Sequence, residues 1–194
     1  MQSVELLLQE RIPHAVTQPP MPERSQNMGI DQTRVAIARW HVSVGGVVPQ
    51  VHYLSNGRYS VLITGAGSGF SQWKETALTR WHADTTLEDW GTWIYVLDLD
   101  SGERWSAGYQ PSATSAMSQE VLFHAHKAEF RRRDHDISLH MEITVAPDDD
   151  LEIRRITVTN HGDSPRRLSL VSYGEVVLAP RNADRRHPAF NKLF

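Results

Sequence analysis

One run constrains this chain more than any other: Ile137, Leu139, Met141, Ile143 and Val145 alternate with Ser138, His140, Glu142 and Thr144. Side chains on an extended backbone point to opposite faces in turn, so this pattern specifies a strand with one buried face and one wet face. A helical stripe would need its apolar residues three and four apart. Pro147 with Asp148, Asp149 and Asp150 turns the chain. Leu151 to Asn160 reads as the returning strand, and the shift from Leu151/Ile153 to Ile156/Val158 predicts a bulge where the inward parity changes. After a turn at 161–165, residues 166–178 read as one long final strand.

The same period recurs upstream, over 35–42, 59–64, 92–97, 103–107, 121–126 and 128–133. Strands joined by short turns, without helical segments between them, predict an all-β antiparallel sandwich or barrel. The start differs. Val4, Leu7, Leu8 and Arg11 fall at helical spacing and predict a short helix within residues 1–13, ended by Pro13. Pro19, Pro20 and Pro22 among polar residues mark 14–32 as a linker, which leaves 33–194 as the sandwich domain.

Composition removes several function classes. A formal charge of -3 gives no general attraction for phosphate backbones or anionic lipid, so neither nucleic acid nor a membrane surface is an expected partner. There is no cysteine, hence no disulfide framework and no thiolate nucleophile, which suits a cytoplasmic domain. No apolar run reaches the ~20 residues of a membrane span, so any inner-membrane anchor of a parent protein would lie elsewhere.

Several motifs invite chemistry and are weighed against plainer readings. Gly65-Ala66-Gly67-Ser68-Gly69 lacks the spacing of a nucleotide loop and reads as a tight sheet connection. His124 and His126 lack a recognisable ligand set, so polar surface histidines are the expectation and no metal is assigned. Asp148 to Asp150 read as a solvated turn, and Arg131, Arg132 and Arg133 as a solvated strand end offset by Asp134 and Asp136. Neither Glu88/Asp89 nor the aspartate run is placed in a pocket, as a glycosidase pair must be, and no catalytic residue or cofactor is assigned. The most specific feature is Trp73, Trp81, Trp90, Trp93 and Trp105 with Arg80, Asp84 and Glu88. Indole faces stack on pyranose rings while charged groups pair with hydroxyls, so the mixture suits carbohydrate; the alternative is core packing.

The order of features strengthens the sugar reading. Leu54-Ser55-Asn56-Gly57-Arg58-Tyr59, Phe70-Ser71-Gln72-Trp73, Leu78-Thr79-Arg80-Trp81, Asp89-Trp90-Gly91, Ile94-Tyr95, Asp98, and Trp105 before Gln110-Pro111 resemble the amino-terminal domain of inverting glycoside phosphorylases such as cellobiose and chitobiose phosphorylases. Residues 128–134, 154–160, 172–180 and 187–190 resemble the phosphorylase-like region of the cyclic β-1,2-glucan synthases. The resemblance implies a β-supersandwich related in shape to the galactose mutarotase fold, preceding a helical barrel that carries the catalytic and phosphate-binding groups. Relative to that family, the 65–71 loop is altered and lacks a tyrosine. Family members also continue past the His187-Pro188-Ala189-Phe190 segment, so a C-terminally incomplete sheet set with an open edge, and a homodimer formed through it, are expected.

Three functions follow as expectations. The first is a non-catalytic carbohydrate-associated domain that helps position a β-glucan oligosaccharide and assemble with the barrel. Ser71, Gln72, Trp73, Arg80, Trp81 and Trp93 are its candidate substrate-binding residues. The second is an interface module without sugar binding. The third is a mutarotase-like epimerase, which would need a buried acid/base pair in a sugar cleft.

Overall fold

A computed structural model of the chain describes residues 39–44, 48–82 and 88–187. The expected helix and linker, residues 35–38, Asp84 and residues 188–190 lie outside them. In chain order the strands are β1 Arg39–Val42, β2 Val51–Ser55, β3 Tyr59–Thr64, β4 Gly69–Trp73, β5 Thr76–Thr79, β6 Trp93–Asp98 and β7 Arg104–Ser106. They continue with β8 Ser118–His124, β9 Lys127–Asp134, β10 Ile137–Val145, β11 Glu152–Asn160, β12 Leu168–Tyr173 and β13 Val176–Pro180, followed by helix α1, Arg181–Arg186.

The strands form three antiparallel sheets, ordered β1-β8-β9-β10-β11, β12-β6-β7 and β13-β5-β4-β3-β2. The core draws on all three: Val61 and Ile63 from β3, Val96 and Trp105 from β6 and β7, and Phe123, Phe130, Leu139 and Met141 from β8, β9 and β10. The alternation in β10 sets the register. Ile137, Leu139, Met141 and Ile143 are all buried, each contributing about 1.5–3 kcal/mol relative to exposure. A one-residue slip would turn all four outward.

Four expectations are corrected. β10 and β11 pair without a break from Ile137↔Asn160 to Val145↔Glu152, so there is no bulge. Ile153 simply lies on the outer face, half exposed, while the inward positions before Ile156 hold Glu152 and Arg154, which bond to each other. The single final strand is two: β12 pairs β6 and β13 pairs β5, and the chain changes sheet at Gly174 and Glu175. Arg132 is not solvated. Its side chain is wholly buried, gripping Asp134 with two nitrogens at 2.6 and 2.7 Å and donating to the carbonyls of Ser106 (2.9 Å), Gly108 (2.8 Å) and Thr114 (3.3 Å). The Asp148–Asp150 turn is pinned, because Asp150 accepts from Trp73 Nε1 (2.7 Å) and Arg58 Nε (2.8 Å). The Trp73 bond, with Arg58 and Asn56 behind it and against the cost of burial, lowers the Asp150 pKa.

The glycine loop is the expected tight connection, between β3 and β4. The amides of Gly65, Gly67 and Gly69 donate to the carbonyls of Gln50, Thr64 and Trp90, so they are committed to the fold and do not point at a ligand. Gly69 has φ +153°, and a Cβ there would lie 1.8 Å from the Leu62 carbonyl oxygen. Gly67 packs backbone to backbone on Gly108, and Gln110 N donates to Ala66 O. The loop therefore admits the chain's own 106–110 segment.

Candidate functional site

Pleating splits the three candidate residues on β4 between two sides of the β4–β5 hairpin. Phe70 and Gln72 point to the side covered by α1, and Ser71 and Trp73 point to the side facing β11. On the α1 side the Arg181 guanidinium lies 3.8 Å from the Phe70 ring centre and 5.8 Å from that of Trp81, and donates to Gln72 Oε1 at 2.8 Å. Burial pulls the Arg181 pKa down, yet the cation faces two aromatic rings, an arrangement that favours the charged form. Phe70 and Trp81 pack at 5.3 Å. Trp81, His82, Arg181, Asp184 and Arg185 line a cleft of about 330 Å³.

Arg80, at the end of β5, joins this cleft to a second one. It is 4% exposed and makes a forked contact to Asp184 (3.1 and 3.3 Å) and a 2.7 Å bond to Glu175. Arg80 N also donates to Glu175 O at 2.9 Å. A buried guanidinium needs such partners to offset its desolvation, and the pair from α1 and the β12–β13 crossing supplies them. On the far side of Arg80, a cleft of about 200 Å³ is walled by Trp93, Tyr95, Pro111, Tyr173 and Glu175, with Trp90 and Asp89 at its rim. Burial, then the neighbouring Tyr173, raises the Tyr95 phenol pKa.

The structure therefore places Trp81 in the first cleft and Arg80 and Trp93 in the second, with Gln72 set behind the first through its bond to Arg181. Trp93 is a wall rather than an open platform: it is 5% exposed, and its ring touches the positions where Cβ atoms would stand on Gly67 and Gly91. Ser71 and Trp73 lie apart. Ser71 Oγ donates to Glu152 Oε2 at 2.6 Å and its amide to Thr79 Oγ1 at 2.8 Å, inside a cluster with Arg154, which also donates to Thr92 O. Burial, then the charge of Glu152, raises the pKa of Tyr59 beside them. Sequence reasoning missed Arg181, Asp184, Tyr173 and Glu175. α1 has no apolar stripe, so periodicity is silent about it, and its buried residue is a charge.

A second charged cluster occupies the outer face of the five-stranded sheet containing β10. Glu129, His140 and Glu142 gather their donor atoms within 4.8 Å of one another. Lys127 Nζ stands at 2.5 Å from Glu129 and 2.7 Å from Glu142, in the place a cation would take. Hydrogen bonds from Lys127 and Arg155, outweighing burial, hold the Glu142 pKa down at about 2. His124, expected at the surface, is buried, and burial lowers its pKa.

Among the described residues no helix is long and apolar enough to cross a membrane. A family model described as glycosyl hydrolase 94, supersandwich domain, matches residues 37–194. The chain is 33% identical, over its whole length, to the cyclic β-(1,2)-glucan synthase NdvB of Rhizobium meliloti (strain 1021), of which it covers 7%. It is 31% identical over 61% of its length to the 3-O-β-D-glucopyranosyl-β-D-glucuronide phosphorylase of Paenibacillus borealis, covering 15% of it. It is 23% identical over 72% of its length to an N,N'-diacetylchitobiose phosphorylase of Vibrio proteolyticus, covering 18%. The chain thus spans less than a fifth of each of these relatives.

Proposed function

The chain belongs to the glycosyl hydrolase 94 supersandwich-domain family, and from that membership we propose that it is a non-catalytic carbohydrate-associated domain of a glucan-processing enzyme. Its role is to help position a β-glucan oligosaccharide and to dock the enzyme's helical catalytic barrel. The observation that carries this reading is the pair of clefts linked through Arg80, which lines the second and grips Asp184 of the first. Aromatic rings wall both, and the charged groups between them are already held at fixed positions. Sugar recognition uses that combination: apolar ring faces stack on aromatics, while hydroxyls bond to groups whose ordering cost has been met in advance.

The test is a titration of the chain with β-1,2-gluco-oligosaccharides, followed by tryptophan fluorescence and amide NMR shifts. Saturable shifts at Trp81, His82, Trp90 and Tyr173 are expected, and Trp81→Ala should weaken them while leaving the Trp105 signal of the core unchanged. Silence at millimolar sugar would sink the reading. Polarimetry on α-glucose is the companion measurement, with no acceleration of mutarotation expected.

A further inference from the structure

Among the described residues, the arginines that the fold draws inward meet carboxylates, with one exception. Arg80, Arg132, Arg133, Arg154 and Arg166 are buried or half-buried, and they pair with Asp184, Asp134, Asp136, Glu152 and Asp98 respectively. Such partners offset the cost of taking a guanidinium out of water. Arg181 is half-buried too, and no described carboxylate pairs with it. Its contacts are the Phe70 and Trp81 rings and one hydrogen bond, to the neutral Gln72 amide oxygen at 2.8 Å. The other N–H donors of its fork are uncommitted.

Arg185 lines the same cleft, four residues further along α1, and is likewise without a described carboxylate partner. Like charges at that spacing share a helix face and repel. Asp184, the one carboxylate lining the cleft with them, is gripped by Arg80 through two nitrogens, and Arg80 also holds Glu175. Three guanidiniums therefore stand against two carboxylates, and both carboxylates are committed to the same one. The arrangement lacks an anion.

We propose that the first cleft reads an oxyanion, a phosphoryl or carboxylate group carried on a hexose whose ring lies against Trp81, with Arg181 and Arg185 as its binding groups. The inference rests on the carbohydrate reading of this cleft and adds the charge of the sugar. A planar guanidinium matches two oxygens of either group. Arg181 is already held by two rings and Gln72, so binding orders little that is not ordered beforehand. The space, about 330 Å³, falls within the roughly 300–1,000 Å³ of small-molecule sites. The second cleft has the opposite character: Asp89 and Glu175 line it, which suits the neutral part of a saccharide and disfavours an anion.

The test titrates the chain at low salt with glucose, glucose 6-phosphate, glucuronate and inorganic phosphate, followed by amide and indole NMR shifts. Both anionic sugars should bind at least about tenfold more tightly than glucose, the worth of a charge-assisted hydrogen bond. Their shifts should centre on Trp81 and Arg185, and their advantage should shrink as salt rises. Arg181→Gln should bring the anionic-to-neutral ratio close to one with unchanged circular dichroism, and Arg185→Gln should lower it in part. Trp81→Ala should weaken charged and neutral sugars alike. Equal binding of glucose and the anionic sugars, an unchanged ratio in R181Q, or inorganic phosphate binding as tightly as glucose 6-phosphate would each overturn the inference. The titration with neutral β-1,2-gluco-oligosaccharides reports separately on the carbohydrate reading. Saturable neutral binding with no preference for charge leaves that reading standing while this inference falls; binding of charged sugars where neutral glucan is silent does the reverse.

Discussion

Replacing Arg132 with Met tests how the loop beside the second cleft is held. The side chain is wholly buried, and the substitution removes two bonds to Asp134 and three to main-chain carbonyls of the 106–114 segment. It keeps the bulk and strands the Asp134 carboxylate, itself 7% exposed in its side chain. Breaking a buried pair in this way costs about 3–5 kcal/mol. The orphaned carbonyls of buried Ser106 and Gly108 would add about 1–3 kcal/mol each were the segment rigid, so about 3–5 kcal/mol is the lower bound. That is a large share of the roughly 5–15 kcal/mol that keeps a domain folded. Urea unfolding followed by tryptophan fluorescence measures it as a lowered midpoint at unchanged slope. In the double variant R132M/D134L the stranded charge is gone, and part of the loss should return. A single variant within about 1 kcal/mol of the parent, or a double variant no more stable than the single, would refute the account.

Gly69→Ala should destabilise by at least about 2 kcal/mol in the same assay, because the new Cβ meets the Leu62 carbonyl in a left-handed backbone. Asn56→Ala should cost about 1–3 kcal/mol and speed hydrogen exchange over 146–150, since Asn56 Nδ2 donates to Ala146 O and Asp149 O at 2.9 and 2.8 Å. Glu142 has a folded pKa of about 2 against an ordinary 4.5. Its contribution is therefore complete above about pH 5 and lost as the pH falls toward 2. Glu142→Gln should flatten the stability profile in that window and leave its shape above pH 6 unchanged.

What could be read from the sequence followed from how each residue meets its burden. The alternation of β10 was legible because one face packs on the core and every inward residue is apolar. The same logic failed one strand later: Glu152 and Arg154 occupy inward positions as a bonded pair, and a pattern scored on hydrophobicity alone takes their presence for a change of parity. Arg132 was misread for a related reason, since its neighbours in a charge run are solvated and only the fold shows which guanidinium turns inward. The tryptophan cluster marked the right region without sorting it. Trp93 and Trp105 are buried, Trp73 ties down the aspartate turn, and Trp81 and Trp90 border the clefts. Arg181 and Asp184, which complete the first cleft, sit on a six-residue helix whose placement rests on long-range charge pairing rather than on any local period.

The crossing at Gly174 and Glu175 ties together strands from two sheets with only two residues between them. Pairing in one sheet therefore dictates pairing in the other: a shift of β12 by one position along β6 would carry Val176 off Thr79 and pull the Glu175 carboxylate away from Arg80. Insertions and deletions, tolerated at most surface connections, should be unacceptable at this one. In a library of single-residue length changes along the chain, 174–175 should stand out as an exposed-looking junction that behaves like core.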